Sequence, residues 1–497
     1  MSRKLDVVII GSGFGGSLLS MILARAGMEV AIIDKARHPR FAIGESSTPT
    51  ADAMIERLSR QWDLPELAPL ATYGSWRKAY GDVTCGRKRG FSYFGHTVDD
   101  TPSSDQQLLV MASRTDNEAD THWLRSEVDE LFFKLAAWRN VLQLQNARYQ
   151  VTDETDAWTV SGTSLAGTFS LRCDFVVDAS GPMGEIMRLV GAADATHRLK
   201  TNSSAIYGHF ENVRPFQSVM ENFGFSTAIH PFPCDAAALH HVLDNGWMWQ
   251  LRFDDQSVSA GFAFHNSQGD ESQHAEARWH RQLRRFPMLW KQFEGSRILE
   301  QRTPLRCLPR MQRLWASAAG ERWGALPSAT GFVDPLHSTG IAHTLSGVSR
   351  LADVLLASSD HRERSSRLAA YSDQIVDELC WIDMLVEGCY ASLPNFRLWS
   401  AWCMLYFAAA TSTEHGRGVT ESTFLQAANG QFRSVAKIAR TSLQQAIDEG
   451  STEAACERFE GQLRELIAPY NDVGLLDNLA GGMYTQTAKT FVNATSN

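Results

Sequence analysis

The sequence predicts an α/β fold with a Rossmann-like dinucleotide-binding region at the N-terminus, an inserted antiparallel β region and a helical C-terminal region. Three observations predict it. A short apolar run, a glycine-rich turn and a helical pattern follow one another within residues 5–34. Residues from about 204 to 265 alternate in the manner of β-strands. After about residue 345 strand signals almost disappear and the periodicity becomes helical.

Leu5–Ile10 is short, rich in Val and Ile and without alternation, as expected of a parallel strand buried on both faces. Ser17–Ala26 has helical periodicity and stops at Gly27, a residue suited to the position just past a helix end. Glu29–Asp34 is a second buried strand and completes a βαβ unit. Thr121–Trp138 is expected to be helical, with apolar residues at 124, 128, 131, 132 and 135. Strands at about 141–175 lead to Phe175–Asp178, a short apolar run ending in an acid. Within the β-rich stretch, Trp247–Phe253 and Val258–Phe264 alternate most clearly, and the tail holds an aromatic-rich stretch, Trp381–Phe407. Residues 1–370 are thus expected to form the nucleotide-binding region, with about 204–300 inserted as a β-rich substrate region. Residues 371–497 are expected to form helices that cover the substrate pocket. No repeat or low-complexity linker separates the parts, so they should pack tightly.

Of the 497 residues, 44% are apolar and 21% charged, which is globular composition, and the length suggests two or three regions sharing one site. A net charge of −9 offers no basic face to nucleic acid or to anionic lipid. Eight cysteines with no CxxC pair and no zinc-ligand spacing argue against a disulfide framework and for a reducing, cytoplasmic setting. The apolar run near the start is only six residues long and enters glycines, so it reads as a strand rather than a signal peptide. Trp399–Thr411, the longest later apolar stretch, is too short to span a bilayer.

Gly11-Ser-Gly13-Phe14-Gly15-Gly16 satisfies the GxGxxG fingerprint of dinucleotide binding. Gly11 permits the tight turn, Gly13 lets backbone approach a pyrophosphate, and Gly16 lets helix and strand pack closely. The helix start offers free N–H groups to the phosphates. Asp34, 23 residues after Gly11 at the end of the second strand, is placed to accept hydrogen bonds from ribose hydroxyls.

Two later segments point to FAD. Val177-Asp178-Ala179-Ser180-Gly181-Pro182 follows a buried strand, and Gly331-Phe332-Val333-Asp334-Pro335 closes the αβ portion. Here the sequence resembles the FAD-dependent monooxygenase superfamily, which carries second and third FAD motifs at such places. Arg125, with Asp129 one turn later, matches the arginine that superfamily sets near the FAD phosphates.

Three further matches resemble the flavin-dependent halogenases, in their phenol- and pyrrole-acting members. Gly44-Glu45-Ser46-Ser47-Thr48-Pro49 is similar to the loop that runs close to the flavin ring in that family. Phe332-Val-Asp-Pro335-Leu-His-Ser338-Thr-Gly340 fits their FxxPxxSxG pattern. Cys389-Tyr390 through Phe396-Arg-Leu-Trp399-Ser-Ala-Trp402 resembles their C-terminal region and marks Phe396, Trp399 and Trp402 for the substrate pocket. The likeness covers nearly the whole chain.

What it implies is an enzyme that uses FAD as FADH2 with O2 and chloride or bromide. A flavin C4a-hydroperoxide oxidises halide to hypohalous acid, and a lysine passes the halogen to an electron-rich ring. The amides around Thr339 and Gly340 suit a small anion. Cys85 through Ser92 resembles the lysine-bearing segment, which makes Lys88 the relay, and a buried amine has the lowered pKa that role needs. The family's WxWxIP segment reads Trp247-Met-Trp249-Gln-Leu251-Arg252, with Arg252 in place of proline. His337 stands where tryptophan halogenases carry Glu, which argues against tryptophan as substrate, and a histidine there is a candidate base near neutral pH. The expected partners are a small phenol or pyrrole, free or carrier-bound, and a separate flavin reductase. The alternative is a FAD-dependent monooxygenase or oxidase without halide use, for which Arg252 is the main support.

Overall fold

The computed structural model describes residues 3–98, 105–266, 274–357, 360–415, 424–477, 481–485 and 487. The N-terminal unit forms as the glycine spacing requires. Arg3–Ile10 lies between Gly167–Asp178 and Val30–Ile33, with parallel pairing on both sides. Trp323–Ala325 and Leu142–Leu144 extend the same sheet outward, again in parallel. Helix Phe14–Arg25 is buried from Phe14 through Leu23, which matches its largely apolar sequence with only Ser17 and Ser20 as buried polar residues. It ends before Gly27, whose φ of +92° an L side chain adopts only with strain.

Helix Arg125–Trp138 starts four residues later than the spacing suggests, because Asp120–Trp123 forms a strand paired with Cys85–Lys88. Its four residues are all buried, a pattern that local periodicity does not separate from the start of a helix.

The second sheet is larger than the stretch 204–300. Ser203–Glu211, Val258–His265, Gly246–Arg252 and Ala238–Leu243 run antiparallel in that order. Gly90–Gly95 then joins Ala238–Leu243 in parallel, and Gln107–Met111 and Met483–Tyr484 follow it. These strands are buried on both faces, so their alternation separates two cores rather than core from solvent. Phe91, Tyr93, Ala238, Trp247 and Trp249 face one side with the nucleotide unit and the C-terminal helices. Phe94, Leu239, Met248 and Phe262 face the other.

Helix His361–Ser392 runs unbroken through the expected boundary at 370/371. Phe396–Glu414 packs back on it, with Trp402 filling the space beside Gly388. Among the described residues all eight cysteines are free, and no helix is long and apolar enough to cross a membrane.

Candidate active site

The glycine turn sits at the carboxyl ends of the parallel strands. A Cβ on Gly11 would lie 2.3 Å from the Ala179 carbonyl oxygen, and one on Gly16 would lie 2.3 Å from that of Gly11. Gly15 is needed to admit the 339–357 helix, since its Cβ would meet Thr344 at 2.8 Å. Gly13 differs. Its Cβ would meet nothing closer than 3.6 Å, and the nearest atoms belong to Asp129, Arg40 and Arg125. The protein's own packing therefore leaves room at Gly13, as close approach of a pyrophosphate requires.

Arg125 donates to both oxygens of Asp129, at 2.8 and 3.1 Å, and to the carbonyls of Ile43 and Gly44. Arg40, which no motif marks, donates to Asp34 at 3.1 Å, and its buried Nε has no partner. The two guanidiniums flank the helix start and give it the charge an anionic diphosphate takes up. Asp34 accepts from the amide and hydroxyl of Ser12 at 2.9 and 2.6 Å, and a carboxylate retains further lone pairs for a ribose. These residues fit FAD.

Four sequence-predicted ligands have other work in the structure. The Phe14 amide donates to Asp129 at 3.2 Å, and its ring packs edge-on against Trp123. The Glu45 carboxylate faces His209 at 3.1 Å. Asp178 is consumed by Ser180 and by the amides of Ile186 and Met187, so it fixes the turn carrying Gly181. Asp334 accepts from the Tyr390 hydroxyl at 2.8 Å and the Leu336 amide at 3.0 Å, and burial raises its pKa to about 7. Ser46 is the exception, with a buried hydroxyl that lacks a partner.

Lys88 ends the strand Cys85–Lys88. The pleat turns Arg87 outward to Asp116 and Lys88 inward, where it is 0% exposed. Its ammonium donates to the Ser47 carbonyl at 2.5 Å, on the 44–49 loop, and lies 3.9 Å from the Phe91 ring centroid. Burial pulls its pKa down to about 8 against the opposing pull of Asp120, Asp52 and Glu414.

Ser338, with φ +53°, turns the chain into the 339–357 helix. Thr339 and Gly340 are its first residues, so their amides are free of intrahelical bonds, and a Cβ on Gly340 would meet nothing within 4 Å.

Beside Lys88 an aromatic wall rises from the sheet. Tyr93 stacks on His240 at 4.6 Å and meets Trp399 edge-on at 5.1 Å, while Trp399 stacks on Phe396. Trp247 lies 5.4 Å from His240 and 5.7 Å from Trp249. The Tyr93 hydroxyl, His240 Nδ1 and Trp399 Nε1 are buried and have no hydrogen-bond partner. Buried polar atoms are almost always satisfied, so these three make the wall a candidate ligand site.

The structure corrects three expectations here. Trp402 donates to the Leu385 carbonyl at 2.7 Å and belongs to the helix–helix core, not to the wall. His337 is 2% exposed, stacks on Tyr406 at 4.1 Å and has its pKa driven to about 3 by burial, so it is no base near neutral pH. Arg252 does not disturb its strand, which continues to pair with Val258. Its side chain points to the Val213 carbonyl, on the face away from Trp247 and Trp249. Tyr93 and His240 were not marked by the sequence because strand pairing, not motif, brings them together.

The profile of the tryptophan halogenase family matches residues 120–393, more than half of the chain, and that of an FAD binding domain matches residues 4–48. The chain is 28% identical to tetracycline 7-halogenase of Kitasatospora aureofaciens, over 82% of this chain and 74% of the relative. It is 26% identical to monodechloroaminopyrrolnitrin halogenase PrnC of Pseudomonas fluorescens, over 82% and 71%. Among solved structures, halogenase PltM in complex with phloroglucinol and FAD superposes with a TM-score of 0.84 at 23% identity, covering 97% of this chain and 99% of that one.

Proposed function

Because the chain belongs to the tryptophan halogenase family of FAD-dependent halogenases, we propose that it installs chloride or bromide on a phenol or pyrrole, with Lys88 relaying the halogen. One observation carries this reading. A lysine with no exposed surface stands between the 44–49 loop and a wall whose polar atoms lack partners. A phenol oxygen can accept from Trp399 Nε1 while its O–H donates to His240 or Tyr93, a pyrrole N–H can donate to His240 or Tyr93, and such a ring activates itself toward an electrophile.

Reduced FAD, O2 and halide together supply hypohalous acid when the cofactor is bound. The chain's own residues keep the components in order. The amides of the glycine turn, Arg40 and Arg125 hold the diphosphate. The amides of Thr339 and Gly340 hold the halide. With a pKa near 8, roughly a tenth of Lys88 is free amine at pH 7, enough for its nitrogen to take halogen and release water. Burial keeps bulk water from the activated halogen. A separate reductase is the expected source of reduced FAD, since the single fingerprint Gly11–Gly16 serves FAD itself.

Mass spectrometry of phenols and pyrroles incubated with reduced flavin, O2 and either halide tests the reading. Lys88→Ala is expected to bind FAD and oxidise halide while losing product roughly a hundredfold or more. Lys88→Arg should be nearly as inactive, because a guanidinium stays protonated. Unchanged product yield from either variant would remove Lys88 from the reaction.

A further inference from the structure

We propose that Asp120 is the proton partner of Lys88: it takes the ammonium proton before the nitrogen meets the oxidant and returns it as the halogen leaves. The proposal rests on the reading of Lys88 as the relay. Strand pairing sets Asp120 directly opposite Lys88, and Lys88 Nζ lies 3.9 Å from Asp120 Oδ2. Their side chains are 0% and 3% exposed, and that Oδ2 has no hydrogen-bond partner. A bare carboxylate oxygen in a dry interior is stable only if it gains a proton or a donor. The Lys88 ammonium and the Asp52 carboxyl, when protonated, are the donors within reach.

The surroundings make Asp120 a place where a proton can rest. Asp52, on helix Pro49–Gln61, lies against it and accepts from the Ser47 hydroxyl at 2.7 Å. Two carboxyls so close do not both carry charge. Glu414, which ends helix Phe396–Glu414, accepts from Thr50 at 2.7 Å and faces the same cluster. The other polar groups toward Lys88 and Asp120 are His122 and His240, both kept neutral by burial, and Tyr406. Burial draws donor and acceptor together, lowering Lys88 to about 8 and raising Asp120 to about 6.

The cycle balances. The ammonium gives its proton to Asp120, leaving an amine and a carboxylic acid. The amine nitrogen displaces water from hypohalous acid, so that an N–halogen bond replaces an N–H bond. The ring attacks the halogen, the N–halogen bond breaks, and the Asp120 carboxyl returns its proton to the departing nitrogen. The cationic ring then loses its own proton to the amine, which restores the ammonium beside an ionised Asp120.

The experiment uses the full-length, FAD-loaded enzyme with Asp120→Asn, and Asp120→Thr as a second acid-free variant should the first not fold. FAD binding and halide oxidation should stay at wild-type level. The turnover number for halogenation should fall roughly a hundredfold with KM nearly unchanged. Loss of the anion favours the free amine, so the rising limb of the pH profile should move to lower pH. Without substrate, intact-mass measurement should find one halogen retained on Lys88, and added phenol should discharge it slowly. A wild-type turnover number with an unmoved limb overturns the proposal. So does a lowered rate with the limb in place and no retained halogen. Full activity of Lys88→Ala would instead overturn the relay itself, which separates the two failures.

Discussion

Gly11, Gly13 and Gly16 share one motif but answer to different constraints. A side chain at Gly11 or Gly16 would drive into backbone at 2.3 Å, and Gly11 also holds φ +108°. Gly13 meets nothing of the protein inside 3.6 Å, so the protein's own packing does not forbid a side chain there, and on the proposed placement of FAD the diphosphate does. Gly13→Val is therefore expected to fold with a melting temperature near that of the apo wild type, and to lose FAD. Gly16→Ala should instead cost more than about 2 kcal/mol of apo stability. Thermal melts of the apo proteins, beside flavin absorbance after reconstitution, measure both. Full flavin absorbance in Gly13→Val would misplace the cofactor. The same contrast explains why Arg40 escaped notice. It acts through its position beside Gly13, and no sequence spacing encodes that.

The helix Thr339–Ala357 illustrates an element whose role depends on its end. Its first amides are free, and Gly340 is exposed with open space where a Cβ would stand. Gly340→Asp should fit without a clash, and an acid in the first turn favours the helix dipole by about 0.3–1 kcal/mol. Stability should hold or rise, yet the carboxylate repels a halide at short range. FAD binding should persist while halogenation falls, which steady-state rates against chloride concentration will show. An unchanged chloride dependence would take the halide away from this helix. Elements that announce themselves locally were legible in the sequence: the βαβ unit, and the strands around Trp247 and Val258. Elements defined by distant pairing were not. Residues 121–123 read as the start of a helix because nothing in so short a strand reveals a partner at Cys85–Lys88. The parallel pairing of Gly90–Gly95 with Ala238–Leu243 was likewise hidden, and with it the meeting of Tyr93 and His240. Lys88 was found by resemblance, whereas the acids behind it come from three separate elements.

Across the whole molecule, burial of so many ionisable groups gives stability a particular dependence on pH. Glu414 and Asp334 are raised by burial to about 8 and about 7, so they bind protons in the folded state at pH values where the unfolded chain does not. Falling pH therefore strengthens the fold from about 8 downward, until the unfolded carboxyls also protonate near 4. His96, His122, His240 and His337 act in the opposite direction. Burial lowers each to about 3, so below about 6.5 the unfolded chain takes up protons that the folded chain refuses. Between about 6.5 and 4 the two sets oppose one another, and below 4 the histidines are joined by Glu378, which, against burial, its hydrogen bonds to His343 and Arg350 hold down to about 2. Stability should thus peak slightly below neutral pH, decline gently toward pH 8 and fall steeply under pH 4. Guanidinium unfolding midpoints of the apo protein at pH 8, 6.5, 5 and 3.5 test this shape. His337→Phe should flatten the acid limb, because one proton fewer is then gained on unfolding, while leaving the decline toward pH 8 in place. A midpoint that rises steadily from pH 6.5 to 8 would contradict the raised acids, and with them the charge balance around Lys88.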